Sequence, residues 1–301
     1  MKAINVPFQI ALWAVTMLFF SSCSATNNPG INLVGSTPGD PAIKSMLAIP
    51  ANENADFIRW NLKLMDDNSF NLDISYGESQ PNTLGFKEGS KKKTIVGRFT
   101  IAKNQLKGFK EVYELISNDF VETISLAKLN ENIYHILTLD KQLMIGNGGW
   151  SYSLNRLEAV EADSILIVSP TAVDKDSEVV FEGRTPCQEF KEAHPEMQAS
   201  SGCFKIKWKL VLYKDAVANK PTTCTVRNIV DNQPRDISGT WEIIKGTATS
   251  PNATIYSIRV DNLQEPLLFL QADDNVLFFL DRNMNPFVGN QDFSFALNRK
   301  K

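Results

Sequence analysis

Short apolar runs and segments of alternating apolar and polar residues, separated by turn-forming residues, recur along this chain. Near its end, the apolar run from Val276 to Leu280 is followed by Asp-Arg-Asn-Met-Asn-Pro, whose residue types favour a turn. The next segment alternates large apolar residues with small or polar ones, namely Phe293, Phe295 and Leu297 with Ser294, Ala296 and Asn298. This pattern predicts a hairpin that turns one face towards a core and the other towards solvent.

A similar pattern occurs once earlier, in the segment LDKQLMIGNGGWSYSLNR. Leu139 aligns with Leu280 at the start of the match, and Asn155 aligns with Asn298 at its end. Agreement over this length, with one small slip in register, predicts two copies of one domain.

The match continues upstream, where the strand-like segments that begin at Trp60 and Ile95 resemble those that begin at Trp208 and Ile237. Helical periodicity is weak, and Val, Ile, Phe, Trp and Tyr fill the short runs between turn residues. We therefore predict an all-β fold of two tandem small lipocalin-like meander β-barrels joined by a short linker, because closure removes exposed strand edges. The predicted bounds are 46–156 for repeat 1, 157–178 for the linker and 179–301 for repeat 2.

The N-terminal segment has the features of a bacterial lipoprotein signal peptide, predicted over residues 1–22. Lys2 gives a positive start, an apolar run extends from Ile10 to Phe20, and Ser-Ser-Cys23 follows. Lipidation of Cys23 and a flexible tether over residues 23–45 would hold the protein at a membrane surface. An ordinary secretory signal with a chance Cys23 is the alternative. No aspartate follows Cys23, which by analogy with enterobacterial sorting favours the outer membrane of a Gram-negative cell envelope.

Composition argues against nucleic-acid binding and gives little support to catalysis. The formal net charge is −3 with mixed signs, whereas a nucleic-acid partner usually requires a basic face. There is no Gly-rich phosphate loop, no His-Glu-x-x-His and no Gly-x-Ser-x-Gly elbow, and the chain has two histidines. We therefore predict no enzyme activity, no catalytic residues and no cofactor. A pair of distant carboxylates could still form a hydrolase site.

Three cysteines follow Cys23, and in an oxidising compartment two of them are expected to form a disulfide. The candidates are Cys187, Cys203 and Cys224. A Cys187–Cys203 bond would close a loop of about fifteen residues, worth about 3 kcal/mol of unfolding free energy. A bond between Cys203 and Cys224, across the turn near residues 216–220, is the alternative.

The same region contains ligand types that suit a soft metal. Cys187, His194, Met197 and Cys203 lie within seventeen residues, and thiolate, imidazole and thioether are ligands for Cu(I). Their spacing matches no standard pattern, and a disulfide would remove the thiolates that the metal requires. The metal site and the disulfide are therefore competing hypotheses.

Several short motifs resemble those of the NlpE-type envelope lipoproteins, a family associated with copper resistance and surface sensing. They are Leu139-Asp-Lys, Gly183-Arg-Thr-Pro-Cys187, Ser238-Gly-Thr-Trp241 and Leu280-Asp-Arg-Asn-Met-Asn-Pro286, in that order. The resemblance implies a lipocalin-like barrel and a non-enzymatic role in the envelope. The family's Cys-x-x-Cys pair is incomplete here, because Phe190 replaces the second cysteine. Repeat 1, aligned at Ile49-Pro-Ala-Asn-Glu-Asn54, has neither cysteine, so the copper function does not carry over.

These observations favour a binding protein of the cell envelope, acting in envelope stress or surface sensing. Its partner is either another envelope protein, contacted through the outer faces, or a small apolar ligand in a barrel mouth. Aromatic residues are the candidates to line such a mouth, although packing in the core is the commoner role of each: Trp60, Phe99, Trp150, Trp208, Trp241 and Phe293. Copper handling or redox sensing through the segment from Cys187 to Cys203 is the alternative function.

Overall fold

The computed structural model describes residues 30–106, 108–161, 176–197, 199–246, 250–261 and 263–300. Within these ranges the chain forms two closed barrels of eight strands each. Barrel 1 contains helix α1 (Pro41–Met46) and strands β1 (Ile31–Pro38), β2 (Phe57–Leu64), β3 (Ser69–Gly77), β4 (Lys91–Leu106), β5 (Phe109–Ile116), β6 (Ile124–Lys128), β7 (Ile133–Ile136) and β8 (Ser153–Arg156). Barrel 2 contains helix α2 (Gln188–Ala193) and strands β9 (Glu178–Pro186), β10 (Lys205–Lys214), β11 (Pro221–Val230), β12 (Gln233–Lys245), β13 (Thr254–Val260), β14 (Leu267–Gln271), β15 (Val276–Leu280) and β16 (Ala296–Arg299).

Each barrel is an antiparallel meander in which every strand pairs with its neighbours in sequence. Pairing of β1 with β8 closes barrel 1, and pairing of β9 with β16 closes barrel 2. The predicted all-β fold of two tandem meander barrels is confirmed.

The predicted tether of residues 23–45 is wrong from residue 31 onward, because β1 and α1 belong to barrel 1. The small residues of β1 resemble a linker, yet close packing requires them. A Cβ atom added to Gly35 would lie 2.7 Å from the carbonyl oxygen of Ser153 on β8, so the barrel closes only with glycine at this point. Residues 1–29, including the predicted signal peptide and Cys23, lie outside the described residues, as do residues 162–175 of the predicted linker.

Equivalent hydrogen bonds show how the two repeats align at their first strands. Trp60 Nε1 donates to Thr37 Oγ1 at 2.9 Å, and Trp208 Nε1 donates to Thr185 Oγ1 at 2.8 Å. Gly35-Ser-Thr-Pro is therefore the counterpart of Gly183-Arg-Thr-Pro. The sequence-based alignment of that motif with residues 49–54 is wrong, because those residues follow α1.

Both barrel interiors are filled with side chains. Trp60, Phe70, Tyr134 and Tyr152 are among the fully buried residues of barrel 1. In barrel 2 the interior is rich in aromatic rings, and α2 adds one more: Trp208, Trp241, Phe269, Phe279, Phe295 and Phe190. Interiors of eight-stranded barrels are often filled in this way.

A third apolar cluster lies between the barrels, on their outer faces. Residues of β5, β6 and β7 in barrel 1 join residues of β13 to β16 in barrel 2 in this cluster. Strands β6, β7, β14 and β15 are consequently buried on both faces, and Ser294, Ala296 and Asn298 are at most 8% exposed. The prediction that this face of the terminal hairpin points to solvent is wrong because the other barrel covers it.

No helix among the described residues has the length and apolar character needed to span a membrane.

Candidate functional site

The repeated Gly-Asn and Leu-Asn-Arg motifs hold the two barrels together. Asn155 Oδ1 accepts a hydrogen bond from Gly289 N of barrel 2 at 2.9 Å, and Asn298 Oδ1 accepts one from Gly146 N of barrel 1 at 2.7 Å. Each repeat therefore gives the other the same contact, which is the pattern of a two-fold symmetric interface. We call this reciprocal pair of bonds the clasp.

A histidine of barrel 1 contacts the residue at the equivalent position of barrel 2 at the same interface. His135 and Phe278, which occupy equivalent positions in the two repeats, contact each other edge to face with ring centroids 6.0 Å apart. His135 is fully buried between Ser153 Oγ and the Met144 carbonyl oxygen, at 3.0 and 2.8 Å. Burial lowers the pKa of His135 to about 4, so the ring is neutral at pH 7.

Two equivalent loops bring further residues to this interface. Asn147 Oδ1 accepts hydrogen bonds from the amides of Gly149 and Trp150, and Asn290 Oδ1 accepts them from the amides of Asp292 and Phe293. Local bonding of this kind is a common property of asparagine in turns. It places an aromatic residue from each repeat at the edge of the junction between the barrels.

A cavity of about 290 Å³ opens between the barrels at this edge, and we call it the cleft. Its lining includes equivalent positions from the two repeats: Ser36 and Arg184, Phe57 and Lys205, Arg59 and Lys207, Trp150 and Phe293. The cleft thus lies on the approximate two-fold axis, but its two walls differ in charge.

On the wall from barrel 1, the positive charge of Arg59 is neutralised by a carboxylate of barrel 2. Arg59 forms a salt bridge with Asp292, which lies on the loop before β16, and Arg59 Nη2 also donates to the Leu84 carbonyl oxygen at 2.8 Å. Burial raises the pKa of the Asp292 carboxyl group above its usual range, and Arg59 opposes this effect. Asp56, also at the cleft, accepts hydrogen bonds from the amide and hydroxyl of Ser79.

The wall from barrel 2 carries three cations, Arg184, Lys205 and Lys207, which we call the cation cluster. None of them forms a salt bridge with any residue in the described part of the chain. Lys207 lies directly opposite Arg184 in the pairing of β10 with β9, an arrangement of like charges that destabilises a sheet. Burial, Arg184 and Lys207 together lower the pKa of Lys205 to about 8.

An aromatic stack borders the cation cluster. The rings of Phe86 and Phe57 are stacked with centroids 4.3 Å apart, and those of Phe57 and Trp150 with centroids 4.9 Å apart. The Arg184 guanidinium carbon lies 5.2 Å from the centroid of Trp150. All three rings belong to barrel 1, so the contact of Trp150 with Arg184 links the stack to barrel 2 and positions the guanidinium.

A second cavity of about 320 Å³ adjoins the cleft and shares Asn82, Lys205 and Lys207 with it. Cys203 lies at its edge and forms a disulfide with Cys187, with their Cα atoms 5.8 Å apart. This confirms the first of the two pairings that the sequence left open. Cys224 is a buried free thiol, and burial raises its pKa to about 11.

The predicted soft-metal ligands have other contacts. The disulfide uses both thiolates, the ring of His194 stacks on Phe190 with its Nδ1 3.5 Å from Glu196, and Met197 is buried in the interior cluster. Across the described residues there is no group of three His, Cys, Asp or Glu side chains that could hold a metal ion.

The six predicted ligand-lining aromatics divide into two sets. Trp60, Phe99, Trp208 and Trp241 are buried in the barrel interiors, in agreement with the core-packing interpretation of each residue. Trp150 and Phe293 line the cleft between the barrels and not a barrel mouth.

Sequence reasoning missed the cation cluster. The alternation Lys205, Lys207, Lys209 along β10 was a visible signal for one basic strand face. The placement of Arg184 beside it follows from the pairing of β9 with β10, and the Trp150 contact follows from the packing of the barrels.

Comparisons of the chain with protein-family models, with curated protein sequences and with solved structures found no match.

Proposed function

We propose that this chain is a non-enzymatic binding protein of the bacterial cell envelope, and that it binds a small acidic ligand in the cleft between its two barrels. The observation that carries this proposal is the cation cluster. Three half-buried cations that form no salt bridge with a described residue cost folding free energy. The charge of Asp56, which lines the same cleft, offsets this cost only for Arg184, and an anion bound from solution would recover the rest.

The surroundings of the cluster support a preformed site. The clasp and the apolar cluster between the barrels set the position of both walls, so binding would require little ordering of the protein. The aromatic stack holds Arg184 against Trp150 in the same way. The barrel interiors, by contrast, are filled with aromatic side chains, which argues against the apolar ligand in a barrel mouth.

The cellular setting of this proposal comes from the sequence. A lipid on Cys23 would anchor the protein at the outer membrane, where the NlpE-like motifs favour a role in envelope stress or surface sensing. Ligand binding at the junction of the barrels would then change the stability of both barrels, and a partner envelope protein could respond to that change.

A thermal-shift experiment on the full-length protein in detergent tests the proposal. Small organic acids at low ionic strength should raise the melting temperature saturably, whereas the corresponding neutral amides should not. The double variant Arg184→Gln with Lys207→Gln should lose the effect. Lys209→Gln, a change on the same face of β10 outside the cleft, is the matched control and should keep it. Equal stabilisation by acids and amides, or of both variants, would refute a charge-based site.

Redox sensing remains the second candidate, since Cys203 borders the cavity that adjoins the cation cluster. Reduction would free the segment from Cys187 to Cys203 and alter the wall that carries Lys205. If this function is correct, acid binding should differ between the oxidised protein and the protein treated with dithiothreitol, and Cys187→Ser with Cys203→Ser should reproduce the reduced state.

A further inference from the structure

The approximate two-fold symmetry relates the paired charge of barrel 1 to an unpaired charge of barrel 2. Arg59 corresponds to Lys207 across the axis, because each directly precedes the equivalent tryptophan of its repeat. Asp292 corresponds to Gly149, because each directly precedes the equivalent aromatic residue of its loop. Arg59 has the Asp292 carboxylate as its partner. At the equivalent place beside Lys207, the chain has glycine and so supplies no carboxylate.

The backbone conformation of Gly149 does not require glycine, because its φ is not positive. A Cβ atom added there would lie 3.1 Å from Asn147 Oδ1, a close contact, but the equivalent turn at Asn290 accommodates the side chain of Asp292. The same Cβ atom would lie 3.4 Å from Cζ and 3.5 Å from Nη1 of Arg184. A side chain at residue 149 would therefore point at the Arg184 guanidinium, which lies opposite Lys207 in the sheet.

We infer that a carboxylate of the ligand takes the position of this missing aspartate, between Arg184 and Lys207, and that a second carboxylate of the same molecule reaches Lys205. This inference rests on the proposed function and names its ligand class, a small dicarboxylic acid. Arg184 offers the planar fork that matches a carboxylate. Lys205 and Lys207 lie two residues apart on one face of β10, so their Cα atoms are about 6.6 Å apart, a span that the two acid groups of a short dicarboxylic acid can bridge.

Cleft size and charge agree with this class. A volume of about 290 Å³ lies at the lower end for ligand sites and suits a short flexible acid. Arg184 and Lys207 account for one acid group, and Lys205 lines both the cleft and the adjoining cavity, where the second group has room. Since the pKa of free Lys205 is about 8, binding a dianion at pH 8 should be accompanied by proton uptake.

Calorimetric titration of the full-length protein with glutarate, acetate and inorganic phosphate tests the inference. Glutarate should bind more tightly than acetate and phosphate, and at pH 8 its binding heat should depend on the buffer because a proton is taken up. The variant Gly149→Asp supplies the missing carboxylate within the chain. It should bind glutarate about tenfold more weakly or worse, and it should melt at a higher temperature than the unsubstituted protein without ligand.

Gly149→Asn is the matched control because it fills the same space without charge. It should not reproduce the higher melting temperature at low salt, and an equal gain would overturn the inference by assigning the effect to packing. Circular dichroism checks that both variants fold, and Lys207→Gln, which leaves the loop unchanged, should also weaken glutarate binding about tenfold.

The remaining outcomes separate this inference from the proposed function. If acids bind but Gly149→Asp binds glutarate as well as the unsubstituted protein does, the inference fails and the proposed function stands. Preference for phosphate over glutarate overturns the dicarboxylate class alone. If no acid binds, both fail.

Discussion

Removing one bond of the clasp tests whether the two barrels form a single unit. In the variant Asn155→Ala, the amide of Gly289 loses its acceptor at 2.9 Å, and the Asn290 carbonyl oxygen loses a longer bond from Asn155 Nδ2 at 3.4 Å, while the apolar packing between the barrels remains. An unsatisfied backbone amide costs about 1–3 kcal/mol when buried, and Gly289 is half-buried, so about 1–2 kcal/mol is expected. The symmetric variant Asn298→Ala removes the bond to Gly146 and should cost about the same.

The assay is thermal unfolding followed by circular dichroism, with the midpoint in urea as a second measure. For a chain of this size, 1 kcal/mol corresponds to roughly 2–4 °C in melting temperature, so each variant should melt roughly 2–8 °C lower. Asn52→Ala is the matched control, because Asn52 is exposed and lies away from the clasp, and it should change the melting temperature little.

A different result would contradict the symmetric interface. If Asn155→Ala and Asn298→Ala behave like Asn52→Ala, the clasp does not contribute to stability. If only one of them destabilises the protein, the reciprocal arrangement is incorrect. If each shifts a separate unfolding transition and leaves the other transition unchanged, the barrels unfold independently.

Buried groups give three more expected outcomes. Reducing the Cys187–Cys203 disulfide should lower the unfolding free energy by about 3 kcal/mol, which denaturation with and without dithiothreitol measures. His135 has a folded pKa of about 4, below its unfolded value near 6.5. Its contribution to stability is therefore complete above pH 6.5 and is lost as the pH falls from 6.5 to 4. The variant His135→Gln should flatten this part of the curve of unfolding free energy against pH. Trp60→Phe removes the bond to Thr37 Oγ1 and leaves a cavity in the barrel 1 core, so urea unfolding should show a loss of about 1 kcal/mol for the bond and a further loss for the cavity.

The duplication and the strand character were readable from the chain because both are local properties. Alternation of apolar and polar residues reports which residues lie on opposite faces of a strand, and two matching segments report a repeat without any knowledge of contacts. The Cys187–Cys203 disulfide was one of two pairings open to the sequence, since Cys224 is nearly as close to Cys203 and only the folded chain selects between them. The first strand was missed because its glycine and small residues, which closure against β8 requires, resemble a linker.

Only the tertiary structure determined which outer strand faces contact solvent and which contact the other barrel. Alternation cannot tell whether the outward face of Ala296 meets water or another barrel, because the covering surface lies elsewhere in the chain. The cleft depends on the same packing, which brings Trp150 of one repeat against Arg184 of the other. The absence of a carboxylate beside Lys207 is recognised only when the symmetry of the assembled barrels relates Lys207 to Arg59, which pairs with Asp292. The physical reason is that a salt bridge depends on the distance between two charges in space, which the order of residues does not specify.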